Sequence, residues 1–330
     1  MIITRTPFRV SFFGGGTDYE PYYSRHGGVI VGASFHRYCY ITCRPLPPFF
    51  EYKTRVAYSL IECVNEPREI KHPSIRGCLT YLGVRDGLQI HHEGDLPARS
   101  GLGSSSAFTV GMLLALHTLR HEMPTRRMLA DQAIEVEQKV IGENVGIQDQ
   151  ILAAHGGMQV IDISPNGDYE VSPMILPPDY HDALEQHVLL GFTGLTRNAT
   201  ELAGAQIKML KDNTSTMREI HDIARRALEL FRQRAEFSKI GELLDASWRV
   251  KRTLANGLSN DSIDQMYEAA RKAGAFGGKL MGAGGGGFVM FLAPPYRHLQ
   301  IQEALPGIRV WVPFRFEKGG AQVIFHTDEQ

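Results

Sequence analysis

Charge of neither sign prevails in this chain, no apolar run is long enough to cross a bilayer, and cysteine is scarce. Across 330 residues, lysine and arginine number 35 against 36 aspartates and glutamates, a formal net charge of -1. So balanced a chain lacks the global field that recruits nucleic acid or an anionic membrane, and neither is expected as a partner. The longest apolar runs, such as VGMLLAL at residues 110–116, fall far short of the ~20 residues a membrane-spanning helix needs. The N-terminal MIITRTPFRVSFFGGG holds no sustained apolar stretch of the kind a signal peptide requires, so a cytoplasmic location is expected. Cys39, Cys43, Cys63 and Cys78 form no CxxC pair and suit neither a zinc site nor a disulfide framework; buried free thiols are expected. The apolar share of 43% and charged share of 22% are those of a globular protein, which excludes a disordered or fibrous chain.

The length admits one large or two medium domains. Residues 2–13, 29–43 and 56–64 carry β-branched and aromatic side chains between glycine and proline punctuation and read as strands. A long apolar helix is expected from about 104 to His121 and an amphipathic one from about Thr125 to Ile141. Strand-like GGMQVIDI follows, and near residue 180 the pattern restarts: HVLLGF as a strand, helices near 198–235, 238–254 and 260–274, strand GFVMFLA, then RVWVPFRF and AQVIFHT as two more strands. No repeat, low-complexity tract or flexible linker interrupts the chain. An α+β protein of two lobes packed across a cleft is expected, divided as 1–180 and 181–330.

Glycine concentrates in three segments: FFGGGTD at 12–18, SGLGSSSA at 100–107 and GGKLMGAGGGGF at 277–288. In the second, the glycines let backbone amides approach a ligand while Ser104, Ser105 and Ser106 open the helix as caps, which makes a phosphate site. A serine-capped buried helix would explain the serines alone. A P-loop is excluded, because Gly278-Lys279 is followed by Leu280 and residue 273 is Ala273. The GxGxxG match at 282–287 fails as a dinucleotide fingerprint, since a helix precedes it and a strand follows.

Two carboxylates stand out. On the helix from Thr125, Leu129, Ala133, Ile134, Val136, Val140 and Ile141 define an apolar arc, and Glu137 falls in its middle. A core-facing carboxylate needs a compensating metal, a buried cation, or partial exposure in a structural salt bridge. Asp149 lies in a polar turn within GENVGIQDQILAAHGG, where a lone aspartate ordinarily caps a helix.

Taken together, RTPFRVSFFGGGTDY, LPARSGLGSSSA and KLMGAGGGGFV resemble, in order, the three motifs of the GHMP small-molecule kinases. The resemblance implies a two-lobed α+β fold, with an N-terminal nucleotide-binding lobe like ribosomal protein S5 domain 2 and a ferredoxin-like C-terminal lobe, and the active site between them. It implies ATP and Mg²⁺ as cofactors, with Gly101, Leu102, Gly103, Ser104, Ser105 and Ser106 around the triphosphate. Ser105 and Glu137 match the magnesium-binding serine and glutamate, Asp149 the catalytic aspartate, Arg9 the basic residue paired with it, and Asp18 a sugar-hydroxyl ligand. Gly15, Gly16, Gly284 and Gly285 fall on the substrate side.

Galactokinases carry Glu-His before the Thr-Asp where this chain has Gly15-Gly16, which speaks against galactose. The fuller pattern, with GIQDQ, GFTGLTRNAT and SWRVKRTLANGLS, is similar to the branch that phosphorylates C1 of D-glycero-D-manno-heptose 7-phosphate; the kinase domain of L-fucokinase is a close branch. A heptose phosphate implies a further basic site, for which Arg197, Lys251, Arg252, Arg25 and His26 are candidates. A small-molecule sugar phosphate is the expected partner. A silent sugar or nucleotide sensor would not need Arg9, Ser105, Glu137 and Asp149 together, and the GGGTDY and QDQ segments disfavour a decarboxylase of the diphosphomevalonate type.

Overall fold

A computed structural model describes residues 1–98, 100–194, 213–254, 258–282 and 284–327. The described part of the first half runs β1 (Ile2–Phe13), α1 (Glu20–His26), β2 (Gly28–Pro45), β3 (Thr54–Ala57), β4 (Ile61–Val64), α2 (Pro73–Tyr81), β5 (Leu88–Gly94), α3 (Ser104–Leu119), α4 (Arg126–Glu135), a π-helical stretch Val136–Ile141, α5 (Gln148–His155), β6 (Met158–Ile163), β7 (Tyr169–Pro173) and α6 (Pro178–His187). Then come β8 (Val188–Phe192), α7 (Thr214–Arg232), α8 (Phe237–Lys251), α9 (Asp261–Lys272), β9 (Gly277–Leu280), β10 (Phe288–Leu292), α10 (His298–Ala304), β11 (Val310–Val312) and β12 (Gln322–His326). No helix among the described residues is long and apolar enough to cross a membrane.

The first sheet has eight strands, ordered β12-β1-β2-β5-β3-β4 with β6 and β7 continuing from β2. The long strand β2 serves two neighbours, pairing β6 with residues 28–33 and β5 with residues 39–45. From Thr6 onward β1 is buried at every position, because α3, α5 and α7 pack on this sheet. Alternation of burial is lost where both faces of a strand are covered. Helix α3 lies close on β1: the Thr4 hydroxyl donates to the Gly111 carbonyl at 3.1 Å, and a Cβ on Gly111 would stand 2.6 Å from the Thr6 hydroxyl. Every residue of α3 from Ser106 to His117 is buried, so it reads as apolar nearly all round.

The second sheet is antiparallel, ordered β11-β8-β10-β9. Numbered within the lobe this is 4-1-3-2 in a β-α-β-β-α-β sequence, the ferredoxin-like arrangement. A cluster of Trp248, Ile263, Tyr267, Leu280, Phe291 and Ile301 binds α8, α9 and α10 to this sheet.

Several expectations change in detail. Residues 56–64 are not one strand; Tyr58 N–H donates to the Leu60 carbonyl and turns them into the β3–β4 hairpin. Cys39, Cys43 and Cys78 are buried, but Cys63 points outward from the sheet-edge strand β4. The amphipathic helix turns π-helical after Glu135, and Gly142 closes it with φ +77° by donating to the Glu137 carbonyl. The last strand, from the half expected to form the second lobe, pairs with β1 in the first sheet.

That return of the chain passes over the C-terminal end of α5. Ala321 N–H donates to the Ala153 carbonyl, Gly157 N–H donates to the Glu317 carbonyl, and a Cβ on Gly156 (φ +69°) would lie 2.0 Å from the Gly319 backbone. Gly156→Ala therefore combines an unfavourable backbone conformation with a steric clash, and we expect it to lower unfolding stability by about 1–3 kcal/mol in urea titrations. An unchanged midpoint would contradict this packing.

Candidate active site

The three glycine-rich segments meet in one cleft. Gly101 (φ +81°) and Gly282 (φ +71°) face each other: a Cβ on Gly101 would lie 2.5 Å from the Met281 carbonyl oxygen, and one on Gly282 would lie 2.5 Å from the Gly101 Cα. The loops thus pack backbone on backbone, at a distance only glycine tolerates. Phe288 N–H donates to the Ser100 carbonyl beside them. Gly284 and Gly285, expected as substrate contacts, pack instead on Leu258, whose carbonyl accepts the Gly285 N–H at 3.1 Å. Gly282 is the member of that loop that lines the cleft.

Helix α3 opens onto the cleft through Ser104, Ser105 and Ser106. Its N-cap is Gly103 in the left-handed conformation, with no side-chain cap. The serines are therefore first-turn residues and not caps, contrary to expectation. Their N–H groups have no acceptor within the helix, and the positive end of its dipole adds to them, which suits a phosphate. Leu102 is buried; its carbonyl accepts the Arg9 N–H and so ties the loop to β1.

Asp149 is in the first turn of α5, whose N-cap is Ile147, so it is not the cap. Its carboxylate takes two hydrogen bonds from Arg9, Nε to Oδ1 at 2.7 Å and Nη2 to Oδ2 at 2.6 Å, while Arg9 Nη1 donates to the Gly101 carbonyl at 2.8 Å. Arg9 is only 4% exposed. Consecutive helical residues diverge by about 100°, so the three side chains of Gln148, Asp149 and Gln150 reach three different partners. Gln148 Nε2 donates to both oxygens of Asp18 at 3.1 Å, and Gln150 donates to Glu137.

Asp18 is 1% exposed and also accepts the Gly16 N–H at 3.0 Å. Burial raises its pKa from 3.8, and the nearby Asp149 charge adds to the rise. Gly146 lets it fit, since a Cβ there would be 1.9 Å from Asp18 Oδ2. Gly15 and Gly16 line the cleft beside it.

The C-terminal lobe contributes two lysines. Lys251, at the end of α8, donates to the Gly282 carbonyl at 3.1 Å; Lys279, on β9, donates to the Ser11 carbonyl at 2.8 Å and to that of Phe12. Burial depresses both, Lys251 to about 8 and Lys279 well below the usual lysine range. Sequence reasoning overlooked Lys279 and Gln148; the QDQ triplet was a signal for the second, whereas nothing local marks the first. Among the basic candidates, Arg252 pairs with Asp264 at 3.1 Å, and Arg25 and His26 end α1 away from the residues lining the cleft. Arg197 lies outside the described residues.

Two sequence profiles match this chain: the GHMP kinases N-terminal domain over residues 71–157 and the GHMP kinases C-terminal domain over 224–307, together just over half of the 330 residues. The chain belongs to the GHMP kinase family. It is therefore an ATP-dependent phosphotransferase with an alcohol group as acceptor. This GHMP kinase is 28% identical to the D-glycero-alpha-D-manno-heptose 7-phosphate kinase of Campylobacter jejuni, over 97% of this chain and 98% of that one. It is 25% identical to the bifunctional fucokinase/GDP-fucose pyrophosphorylase of Arabidopsis thaliana, over 87% of this chain but 29% of the plant protein. Its fold matches a D-glycero-D-manno-heptose 1-phosphate kinase from Bacteroides thetaiotaomicron with a TM-score of 0.81, at 23% identity over 99% and 100% of the two chains.

The metal expected in this kinase can be tested against Glu137. That residue is 0% exposed and stands behind the cleft, where Ser106 donates to its Oε2 at 2.9 Å. Its Oε1 is buried without a hydrogen-bond partner, the nearby Thr109 hydroxyl being turned to the Ser105 carbonyl. Ser105 itself is exposed in the cleft wall. An orphaned carboxylate oxygen among hydroxyls is hard-cation chemistry, so these residues fit Mg²⁺.

Burial raises the Glu137 pKa from 4.5 to about 7. A raised folded-state pKa contributes stability that is present at low pH and lost as pH climbs through it. Without metal, the wild type should lose on the order of 3 kcal/mol more than Glu137→Gln between pH 4.5 and 8, read by urea unfolding. Mg²⁺ at pH 8 should then raise the wild-type midpoint and leave the variant's nearly unmoved; parallel behaviour of the two would contradict the assignment.

Proposed function

We propose that this GHMP kinase transfers the γ-phosphoryl group of ATP to the anomeric C1 hydroxyl of D-glycero-D-manno-heptose 7-phosphate. The product is the 1,7-bisphosphate from which nucleotide-activated heptose for surface polysaccharide is made. The observation that carries the reading is the Asp149 carboxylate, clamped by Arg9 between the first turn of α3 and the sugar-side Asp18. The heptose assignment draws its support from likeness to the Campylobacter enzyme along 97% of this chain.

Phosphoryl transfer is governed by positioning and charge stabilisation. Asp149 accepts the proton of the attacking hydroxyl. Arg9 fixes the carboxylate through two bonds, so a single orientation faces the acceptor, and its charge helps neutralise the transferring group. Asp18, held by Gln148 and the Gly16 amide, receives sugar hydroxyls; Gly15 and Gly16 leave the ring room. The amides and side chains of residues 101–106 hold the phosphates. Mg²⁺, held by Ser105 and Glu137, would offset the negative charge of the nucleotide's phosphate oxygens.

One observation favours a second reading, a kinase for an unphosphorylated sugar such as fucose. Of the described candidates only Lys251 lines the cleft, while Arg25, His26 and Arg252 do not, so no cluster of them is assembled to grip a 7-phosphate.

The test is Mg²⁺-dependent ADP release with heptose 7-phosphate, mannose, fucose, galactose and homoserine offered separately. Turnover on the heptose phosphate alone is expected; turnover on fucose or mannose instead would replace the substrate and keep the kinase. Asp149→Asn should lower kcat by about 10²–10⁴-fold with nucleotide affinity unchanged. Near-normal turnover by that variant would remove Asp149 as the base.

A further inference from the structure

Lys251 has no part in the scheme above, yet its placement is specific. It is 9% exposed, and among the described residues its ammonium donates to one acceptor, the Gly282 carbonyl at 3.1 Å. No carboxylate among the described residues comes within the 4.0 Å of an ion pair with it. An ammonium has three N–H donors, so two remain for a ligand. A buried cation without a counter-charge is costly unless an anion arrives to meet it.

The position indicates which anion. A Cβ on Gly15 would lie 4.0 Å from Nζ, and the lysine's own partner, Gly282, is packed against Gly101 of the phosphate loop. The ammonium thus stands between the turn that carries Asp18 and the loop that receives the triphosphate, on the line of transfer. The charged groups that face it are Arg9 from β1, Asp18 from the glycine turn, Asp149 from α5 and, from β9, Lys279. Arg9 and Asp149 are committed to each other as a pair, which leaves the Lys251 ammonium with two free N–H donors on the phosphate side of Asp18.

We propose that Lys251 binds the phosphoryl group in transfer, as a second cation delivered by the lobe opposite Arg9. The inference rests on the kinase reading of the cleft and is independent of which sugar accepts the phosphate. In the step, the acceptor oxygen forms its bond to the γ-phosphorus while the bond to the β,γ-bridging oxygen breaks. The hydroxyl proton passes to Asp149, the electron pair of the broken bond leaves on ADP, and Lys251 donates an N–H to a non-bridging oxygen without losing its proton. This role takes Lys251 out of the set of candidates for gripping a 7-phosphate.

The experiment compares wild type, Lys251→Met and Lys251→Arg in the full chain. Binding of Mg²⁺-ADP and of an imido-bridged ATP analogue is measured without acceptor, and kcat and acceptor KM with it. In Lys251→Met, ADP affinity should hold, the preference for the triphosphate analogue should fall about tenfold, and kcat should fall about 10²-fold, with acceptor KM within about threefold. Lys251→Arg should restore part of both losses. It should also move the alkaline fall in wild-type kcat/KM for the nucleotide, expected near pH 8 as the free enzyme's ammonium deprotonates, to higher pH. Retained analogue preference and kcat in Lys251→Met would overturn the proposal. So would unchanged kcat with a large rise in acceptor KM, which would return Lys251 to the acceptor's own phosphate. If Lys251→Met fails to bind ADP, Lys251→Arg decides: an unmoved alkaline limb overturns the proposal. Should no offered acceptor turn over, the proposed substrate fails, and the ADP-against-analogue comparison still decides the role of Lys251.

Discussion

The site depends on one buried guanidinium. Arg9 binds both oxygens of Asp149 and the carbonyl of Gly101, and its own N–H donates to the Leu102 carbonyl, so one residue of β1 fixes the phosphate loop and the first turn of α5 together. Burying such a pair incurs a desolvation cost that only close, well-directed partners offset. These bonds, at 2.6 to 2.8 Å, meet that condition. Geometry elsewhere follows from it. A Cβ on Gly103 would approach the Arg9 side chain to 3.0 Å, so the loop must be bare there, and α5 must be held at its far end, where Gly156 abuts Gly319.

The C-terminal lobe completes the cleft through backbone proximity and buried ammonium groups. Gly282 against Gly101, and Gly287 against the Ser100 carbonyl at a would-be Cβ distance of 2.4 Å, bring the two lobes as close as polypeptide allows. Lys279 then reaches across to the carbonyls of Ser11 and Phe12 at the end of β1, where the strand would otherwise leave acceptors in a dry interface. The same strand therefore holds the Arg9–Asp149 pair from one side and is anchored to the opposite lobe from the other. Small displacements of either lobe would be felt at Asp149.

What could be read from the amino acids is what short range determines. Asp149 between two glutamines, the serines after Gly103 and the Thr17-Asp18 pair sit in motifs whose meaning is local, and Asp149, Ser104, Ser105, Ser106 and Asp18 all line the cleft. Sequence periodicity put Glu137 inward, and it is fully buried, with the Ser106 hydroxyl as a donor that no local pattern announced. Gly284 and Gly285 were expected on the substrate side; six consecutive small residues carry no register, and their contact with Leu258 is set by the fold. Lys279 and the return of β12 to the first sheet depend on pairings hundreds of residues apart, which no local pattern encodes.

The central claim is that Arg9 and Asp149 act as one unit. A double-mutant cycle on kcat, with Arg9→Met, Asp149→Asn and both together, measures this directly. Because the arginine works chiefly by holding the base, adding Arg9→Met to Asp149→Asn should slow turnover by a much smaller factor than Arg9→Met costs the wild type. Losses that multiply, as for two independent residues, would contradict the account.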